Sequence, residues 1–252
     1  MSELAGRVAL ITGGAQGLGA EFARAMATAG AKIVVVDKRE PDELVAELAG
    51  RGNDAIGARA DATREADMSA VVDLAIARFG KIDILVNNAG IVADLAMKPL
   101  DQISADEWSM VMTTNAGSAF VSTRAVLPVM KARKYGKIVN MASSTFFNGA
   151  VNMSHYIASK GAVIGLTRAS ARELGDFGIR ANCLAPGLVM SAAVRNHPVL
   201  GSERAARQIE QRCIKREAVA SDLIGALLFL IGPGSDFVTG QTVVVDGGLV
   251  FH

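Results

Sequence analysis

Six short runs rich in aliphatic residues, separated by helix-patterned sequence, set the strongest limit on how this chain folds. They are RVALIT (7–12), AKIVVVD (31–37), DILVNNAG (83–90), GKIVNMAS (136–143), IRANCLAPG (179–187) and GQTVVVDGG (240–248). Continuous apolar strands with helices between them indicate a parallel sheet covered on both faces. The intervening segments have helical periodicity. Leu18, Phe22, Met26 and Ala29 fall on one face before Gly30 stops that helix. A second pattern runs over 67–80, and a third over 104–130 opens with a capping-type Ser104 and an acidic first turn. The expectation is an α/β fold: one doubly wound domain, with a parallel sheet of about seven strands and helices on both faces.

No proline- or serine-rich linker divides the 252 residues, and half of them are hydrophobic, enough for a substantial core. The formal charge is +1 with no block of like charge, which argues against a nucleic-acid or polybasic membrane surface. The longest apolar runs, such as GALLFLIG (225–232), are too short to span a bilayer, and the N-terminus reads as a strand rather than a signal peptide. Cys183 and Cys213 form no paired motif, and His155, His197 and His252 are scattered. Neither a disulfide framework nor a metal site is expected, and a reducing cytoplasm is the expected address. After Pro186-Gly187 a polar stretch, Ser191 to Lys215, interrupts the rhythm. It reads as a substrate lid over the carboxyl edge of the sheet, where such folds bind ligands.

The first strand runs into TGGAQGLGAEFARAMATAG, which places Gly13, Gly17 and Gly19 around a strand-to-helix turn. Glycines there let backbone N–H groups approach a pyrophosphate, which a helix N-terminus also attracts. Asp37 ends the next strand, where a carboxylate can accept hydrogen bonds from an adenosine ribose. It would bond a 2′-hydroxyl and repel a 2′-phosphate, so NAD is expected over NADP. Lys38 and Arg39 could blunt that preference, while Gln16 adds no cation.

The spacing T-G-x-x-x-G-x-G, the NNAG at 87–90 and the Y-x-x-x-K at 156–160 resemble the short-chain dehydrogenase/reductase family over essentially the whole chain. Thr12, Gly13, Gly17 and Gly19 match its glycine motif, and Asp61 matches the position that holds the adenine. Asn87, Asn88, Ala89 and Gly90 match the motif that stabilises the central sheet. The resemblance implies that Asn115, Ser143, Tyr156 and Lys160 are the catalytic tetrad. Pro186-Gly187 would border the nicotinamide, with Ser191 standing where many members carry threonine. Gln16, Leu18, Ala62 and Val189 are further cofactor contacts on the same reading, together with Tyr156 and Lys160 themselves.

Tyr156 and Lys160, four apart, share one helix face. A free phenol titrates near 10, and bringing it to about 7 takes roughly 4 kcal/mol of differential stabilisation. An adjacent ammonium and an oxidised nicotinamide are the expected sources. Tyr156 would then take the proton of a substrate hydroxyl as hydride leaves the carbinol carbon, with Ser143 holding the oxygen. By resemblance, Lys160 would hold the nicotinamide ribose and Asn115 would anchor a water relay. Tyr135, in an apparently exposed loop, is a poor rival, and His155 reads as packing or pocket wall. Phe146 and Phe147 could line a pocket for a flat substrate or pack beneath it. This segment and the ending VVVDGGLVFH are similar to family members that act on aromatic or heteroaromatic alcohols. A 3-oxoacyl-[acyl-carrier-protein] reductase using NADPH and a non-catalytic NAD sensor are the alternatives. Family members are mostly tetramers, which implies pairing through helices at 104–130 and 156–174 and a second contact at the C-terminal strand. Small Gly161, Ala162 and Gly165 would allow close approach or could pack inside one subunit.

Overall fold

A computed structural model describes residues 3–92, 95–190, 192–195 and 203–251. Among them, seven strands form one sheet: β1 (Val8–Thr12), β2 (Lys32–Asp37), β3 (Ala55–Arg59), β4 (Ile84–Asn87), β5 (Gly136–Met141), β6 (Ile179–Pro186) and β7 (Thr242–Val245). Their order is 3-2-1-4-5-6-7 and every neighbouring pair is parallel. The helices are α1 (Gly17–Thr28), α2 (Asp42–Gly50), α3 (Glu65–Phe79), α4 (Ala105–Met112), α5 (Ser118–Arg133), α6 (Thr145–Asn148), α7 (Ser154–Leu174), α8 (Ala192–Arg195), α9 (Glu203–Gln211) and α10 (Ser221–Ile231). The expected α/β fold, doubly wound in one domain, is the one observed.

Successive residues of β1 show why the strands read as continuous apolar runs. Ala9 and Ile11 pack with Phe22 and Met26 of α1 and with Leu227 and Leu230 of α10. Val8 and Leu10 face the other way, onto Met68 and Val71 of α3 and Val126 of α5. Helices therefore cover both faces, α1, α2 and α10 on one and α3, α5 and α7 on the other. Gly30 and Gly80, both at positive φ, follow α1 and α3 and end them as their positions in the sequence suggest.

Three departures from the sequence reading have physical causes. The edge strand β3 was not among the six legible runs; it is only half-buried, and its Gly57 leaves room for Pro41. NNAG is split: Asn87 ends β4, while Asn88, Ala89 and Gly90 leave the sheet. The helix expected over 104–130 carries one π turn at Thr113–Gly117, between α4 and α5, and its backbone stays right-handed helical at both junctions. Ser104 does cap α4, its Oγ accepting the Glu107 N–H at 3.1 Å.

A buried polar row crosses the sheet on the α5/α7 side. Asn87, Asn140 and Cys183 stand side by side on β4, β5 and β6. Asn87 Nδ2 donates to Asn140 Oδ1 at 2.7 Å and to Thr123 Oγ1 of α5 at 3.0 Å. Asn140 Nδ2 donates to Thr167 Oγ1 of α7 at 2.8 Å, and that hydroxyl lies 3.0 Å from Cys183 Sγ. Both cysteines are free, Cys183 buried and Cys213 exposed. Among the described residues no helix is long and apolar enough to cross a membrane, and no cluster of metal-ligating side chains occurs.

Candidate active site

The strand order reverses between β1 and β4, and a cleft of about 650 Å³ opens there at the carboxyl ends of the strands. Of the cofactor residues named from the sequence, all the described ones except Thr12 line it. Ser191 lies outside the described residues, as do 196–202 of the expected lid; the described part of that segment contributes Val194 and Gln208 to the wall. Thr12 works from below. Its hydroxyl accepts the Ala89 N–H at 3.1 Å, while Asn88 Nδ2 donates to the carbonyls of Thr12 and Gly13 at 3.1 and 2.8 Å. NNAG thus straps the glycine turn to the neighbouring strand.

That turn suits an anion. Gly13 has φ +63°, and a Cβ there would lie 2.9 Å from Ala89 Cα. At Gly19 a Cβ would run into the Gly13 carbonyl. Helix α1 has no side-chain cap and no acid in its first turn. Its first N–H groups, which no helix can satisfy internally, therefore remain for a ligand phosphate. The observed cradle fits a dinucleotide pyrophosphate.

At the adenosine end, Asp37 Oδ2 accepts the Ala15 N–H and Oδ1 accepts the Arg39 N–H, each at 3.0 Å. The carboxylate is thereby fixed at the lip of the cleft. The two neighbouring cations are engaged by this chain's own groups. Lys38 Nζ pairs with Asp61 at 3.0 Å, and the Arg39 guanidinium donates to Gln16 Oε1 at 2.8 Å. Partial burial would raise Asp61, but hydrogen bonds from Thr63 and Lys38 hold its carboxyl below the usual range.

At the other end, α7 brings Tyr156 and Lys160 to the cleft beside Ser143, which follows β5. Lys160 Nζ donates to the Met141 carbonyl at 2.8 Å and sits 5.7 Å from the centre of the Tyr156 ring. Burial lowers the ammonium to about 8, with Cys183 pulling weakly the other way. Burial also raises the Tyr156 phenol, and the nearby Ser143 hydroxyl offsets only part of that. The depressed phenol expected from the sequence is therefore not produced by this chain's residues alone, because desolvation outweighs the neighbouring dipoles. Ser143 Oγ itself accepts the Thr145 hydroxyl at 2.8 Å.

Asn115 lies behind the cleft wall, 2% exposed, in the π turn. Its Oδ1 accepts the Ile91 N–H at 2.7 Å, and its Nδ2 donates to the Ile91 carbonyl at 3.2 Å and to Ser159 Oγ at 3.0 Å. With both ends of the amide engaged, the side chain acts as a clasp. Gly90 fits against it: a Cβ there would stand 3.0 Å from Asn115 Oδ1 and 3.6 Å from Lys160 Nζ.

The aromatic pair does not line the cleft. Phe146 lies over Gly161 of α7, and Phe147 packs on the cluster of Ala142, Val163 and Cys183, the two rings meeting edge to face at 5.2 Å. Ile91, Val92 and Met153 surround Tyr156 instead. His155 is buried away from the cleft, and Tyr135 is half-buried under Arg7 rather than exposed. Sequence reasoning missed Ser159, Gln208 and Arg212. Ser159 sat within the Y-x-x-x-K motif, three residues after Tyr156 on the same helix. Gln208 and Arg212 share an i, i+4 spacing in a segment read only as a lid.

A doubly wound sheet with an uncapped glycine turn and a buried tyrosine–lysine pair at one cleft defines a nicotinamide-dependent oxidoreductase acting on CH–OH groups. Residues 13–250 match the family model described as enoyl-(acyl carrier protein) reductase. The chain is 37% identical over 249 residues to the (2S)-[(R)-hydroxy(phenyl)methyl]succinyl-CoA dehydrogenase subunit BbsD of Thauera aromatica, covering 96% of each. It is 32% identical over 254 residues to the 3-oxoacyl-[acyl-carrier-protein] reductase of Synechocystis sp. (strain ATCC 27184 / PCC 6803 / Kazusa), covering 99% of each. The crystal structure of levodione reductase superposes with a TM-score of 0.90 at 34% identity, over 97% of each chain. The chain belongs to the short-chain dehydrogenase/reductase family.

Proposed function

We propose that this protein interconverts an alcohol and its ketone or aldehyde with NAD(H), Tyr156 serving as general base and acid. The observation that carries this reading is the convergence of Ser143, Tyr156 and Lys160 in the cleft that also contains the glycine turn and Asp37. Bound nicotinamide would accept or return a hydride at the carbinol carbon and, when oxidised, bring a positive charge beside the phenol. Tyr156 takes or returns the hydroxyl proton, and Ser143 hydrogen-bonds the reacting oxygen. Lys160 supplies positive charge, and its second task is to hold the nicotinamide ribose. Asn115 is a positioning residue, fixing Ile91 and the start of α7.

NAD is favoured over NADP because Asp37 faces the cleft and Lys38 and Arg39 are held by Asp61 and Gln16. A small aromatic or heteroaromatic alcohol remains the proposed substrate. Its support is the apolar wall of Ile91, Val92 and Met153 and a relative whose name describes a phenyl-bearing carbinol, rather than the Phe146–Phe147 pair. The segment 191–215 is proposed to act as a lid. We also propose a cytoplasmic location and a homotetramer, the tetramer supported by exposed Trp108, Met110 and Phe120 on α4 and α5 and by Phe237 and Phe251 near the C-terminus. Gly165 faces open space, as a helix contact between subunits would need, whereas Gly161 is covered by Phe146. The similarity to 3-oxoacyl-[acyl-carrier-protein] reductases favours an NADPH-linked acyl reductase as second reading.

The test is absorbance of NADH or NADPH with a panel of secondary and benzylic alcohols and a 3-oxoacyl thioester. Faster NADH formation from a benzylic alcohol supports the first reading, and faster NADPH consumption with the thioester supports the second. Cofactor binding without turnover of anything would identify a sensor.

A further inference from the structure

Gln208, on α9, contributes to the cleft wall. Its amide oxygen is shielded from solvent and accepts no hydrogen bond from the described residues. Buried amide carbonyls are nearly always paired in folded proteins, because leaving one unpaired is costly. The position of Gln208 is well held. One turn later, the Arg212 backbone N–H donates to the Gln208 carbonyl at 3.1 Å. The Arg212 guanidinium, only 3% exposed, donates to the carbonyls of Leu188 and Arg216, both at 2.9 Å. These bonds tie the end of α9 to the turn after β6, which itself borders the cleft.

Among the described residues, the wall around Tyr156 is largely apolar. Ile91, Val92 and Met153 cluster around Tyr156, and Leu188 and Val194 continue the apolar surface. The Thr145 hydroxyl donates its proton to Ser143 Oγ. We propose that Gln208, half-buried as a residue, is a specificity-determining residue: a turn of its side chain brings the unpaired amide oxygen into the cleft, where it accepts a hydrogen bond from a second donor group, a hydroxyl or amide N–H, that the substrate carries away from its reacting carbon. This rests on the oxidoreductase reading and narrows it to bifunctional alcohols and their carbonyl counterparts.

The experiment uses the full chain with NAD and matched alcohol pairs: hydroxybenzyl against methoxybenzyl alcohols, and vicinal diols against their monomethyl ethers. The readout is the kcat/KM ratio within each pair. The wild type is expected to favour the donor-bearing member by about 5- to 100-fold in at least one pair. Gln208→Leu is expected to bring that ratio to about one by losing rate only on the donor-bearing member. Gln208→Glu, which keeps an acceptor, retains the preference. NADH fluorescence checks that the Leu variant is folded, and Gln208→Met takes its place if it is not. A preference that survives Gln208→Leu or Gln208→Met, or a wild-type ratio near one in every pair, overturns the inference. Absence of turnover with every alcohol overturns the oxidoreductase reading itself, a separate outcome.

Discussion

Asn115 and Ser159 are joined side chain to side chain at 3.0 Å, tying the π turn between α4 and α5 to the helix that carries Tyr156 and Lys160. Ser159 in turn donates to the Tyr156 carbonyl at 2.7 Å. Ser159→Ala leaves Asn115 Nδ2 with one partner instead of two. We expect a stability loss of about 1 kcal/mol in urea unfolding. We also expect kcat to fall several-fold while the KM for NAD stays within a factor of two. Equal loss in both parameters would show that Ser159 does not position the reacting end.

Lys160 sets function against stability. Its folded pKa of about 8 lies below the ordinary lysine value of 10.5, so the unfolded chain binds more protons between those limits. The burial penalty is fully present below pH 8 and is relieved as pH rises toward 10.5, so Lys160 makes stability climb over that window. Lys160→Met is expected to flatten this climb, to unfold at higher urea near pH 7, and to abolish turnover. Denaturation curves at pH 7 and pH 9.5 measure it; an unchanged pH slope would count against the assignment.

Tyr156 is raised by burial, with Ser143 opposing. At neutral pH the phenol holds its proton unless further positive charge arrives. Alcohol oxidation, which needs the deprotonated form, is therefore expected to speed up with rising pH. Carbonyl reduction, which needs the proton, is expected to hold at lower pH. Tyr156→Phe should bind NAD normally and lose at least about 100-fold in kcat. Stopped assays in both directions between pH 6 and 10 test the opposition.

Gly90→Ala probes a tight fit without removing any polar group. The new Cβ would press on Asn115 Oδ1 at 3.0 Å and approach Lys160 Nζ at 3.6 Å. We expect turnover to drop about tenfold or more with the fold retained by circular dichroism, since displacements well under 1 Å matter at such sites.

For cofactor choice, Asp37→Ala is expected to raise kcat/KM with NADP relative to NAD, because the carboxylate that repels a 2′-phosphate is gone. Adding Gln16→Ala frees Arg39 from its 2.8 Å bond and should move the ratio further. An unchanged ratio in both variants would assign selection elsewhere.

β1, β2, β4, β5 and β6 show as apolar runs because helices cover both their faces. Of the two half-buried edge strands, β7 shows through its run TVVV, whereas β3, AIGAR, is broken by glycine and ends in a charge. The residues expected to hold the cofactor could be named because each lies in a short local motif around a turn or strand end, and the described ones except Thr12 line one cleft. What escaped depends on long-range partners. Nothing local in TTNAG marks a π turn, whose clasp is Ile91. Phe146 and Phe147 were ambiguous because their surroundings come from α7 and β6. Gln208 gains meaning only when Arg212 fastens α9 to Leu188.

The row Asn87–Asn140–Thr167–Cys183 has a mechanical consequence. Apolar ridges alone let a helix settle one turn up or down a sheet at modest cost, a step of about 5.4 Å. Directional bonds from Asn140 to Thr167 tolerate no such step, since slippage would strand several buried polar atoms at once. The row works as a keyway, indexing α7 against three strands so that Tyr156 arrives at one height above the sheet and no other.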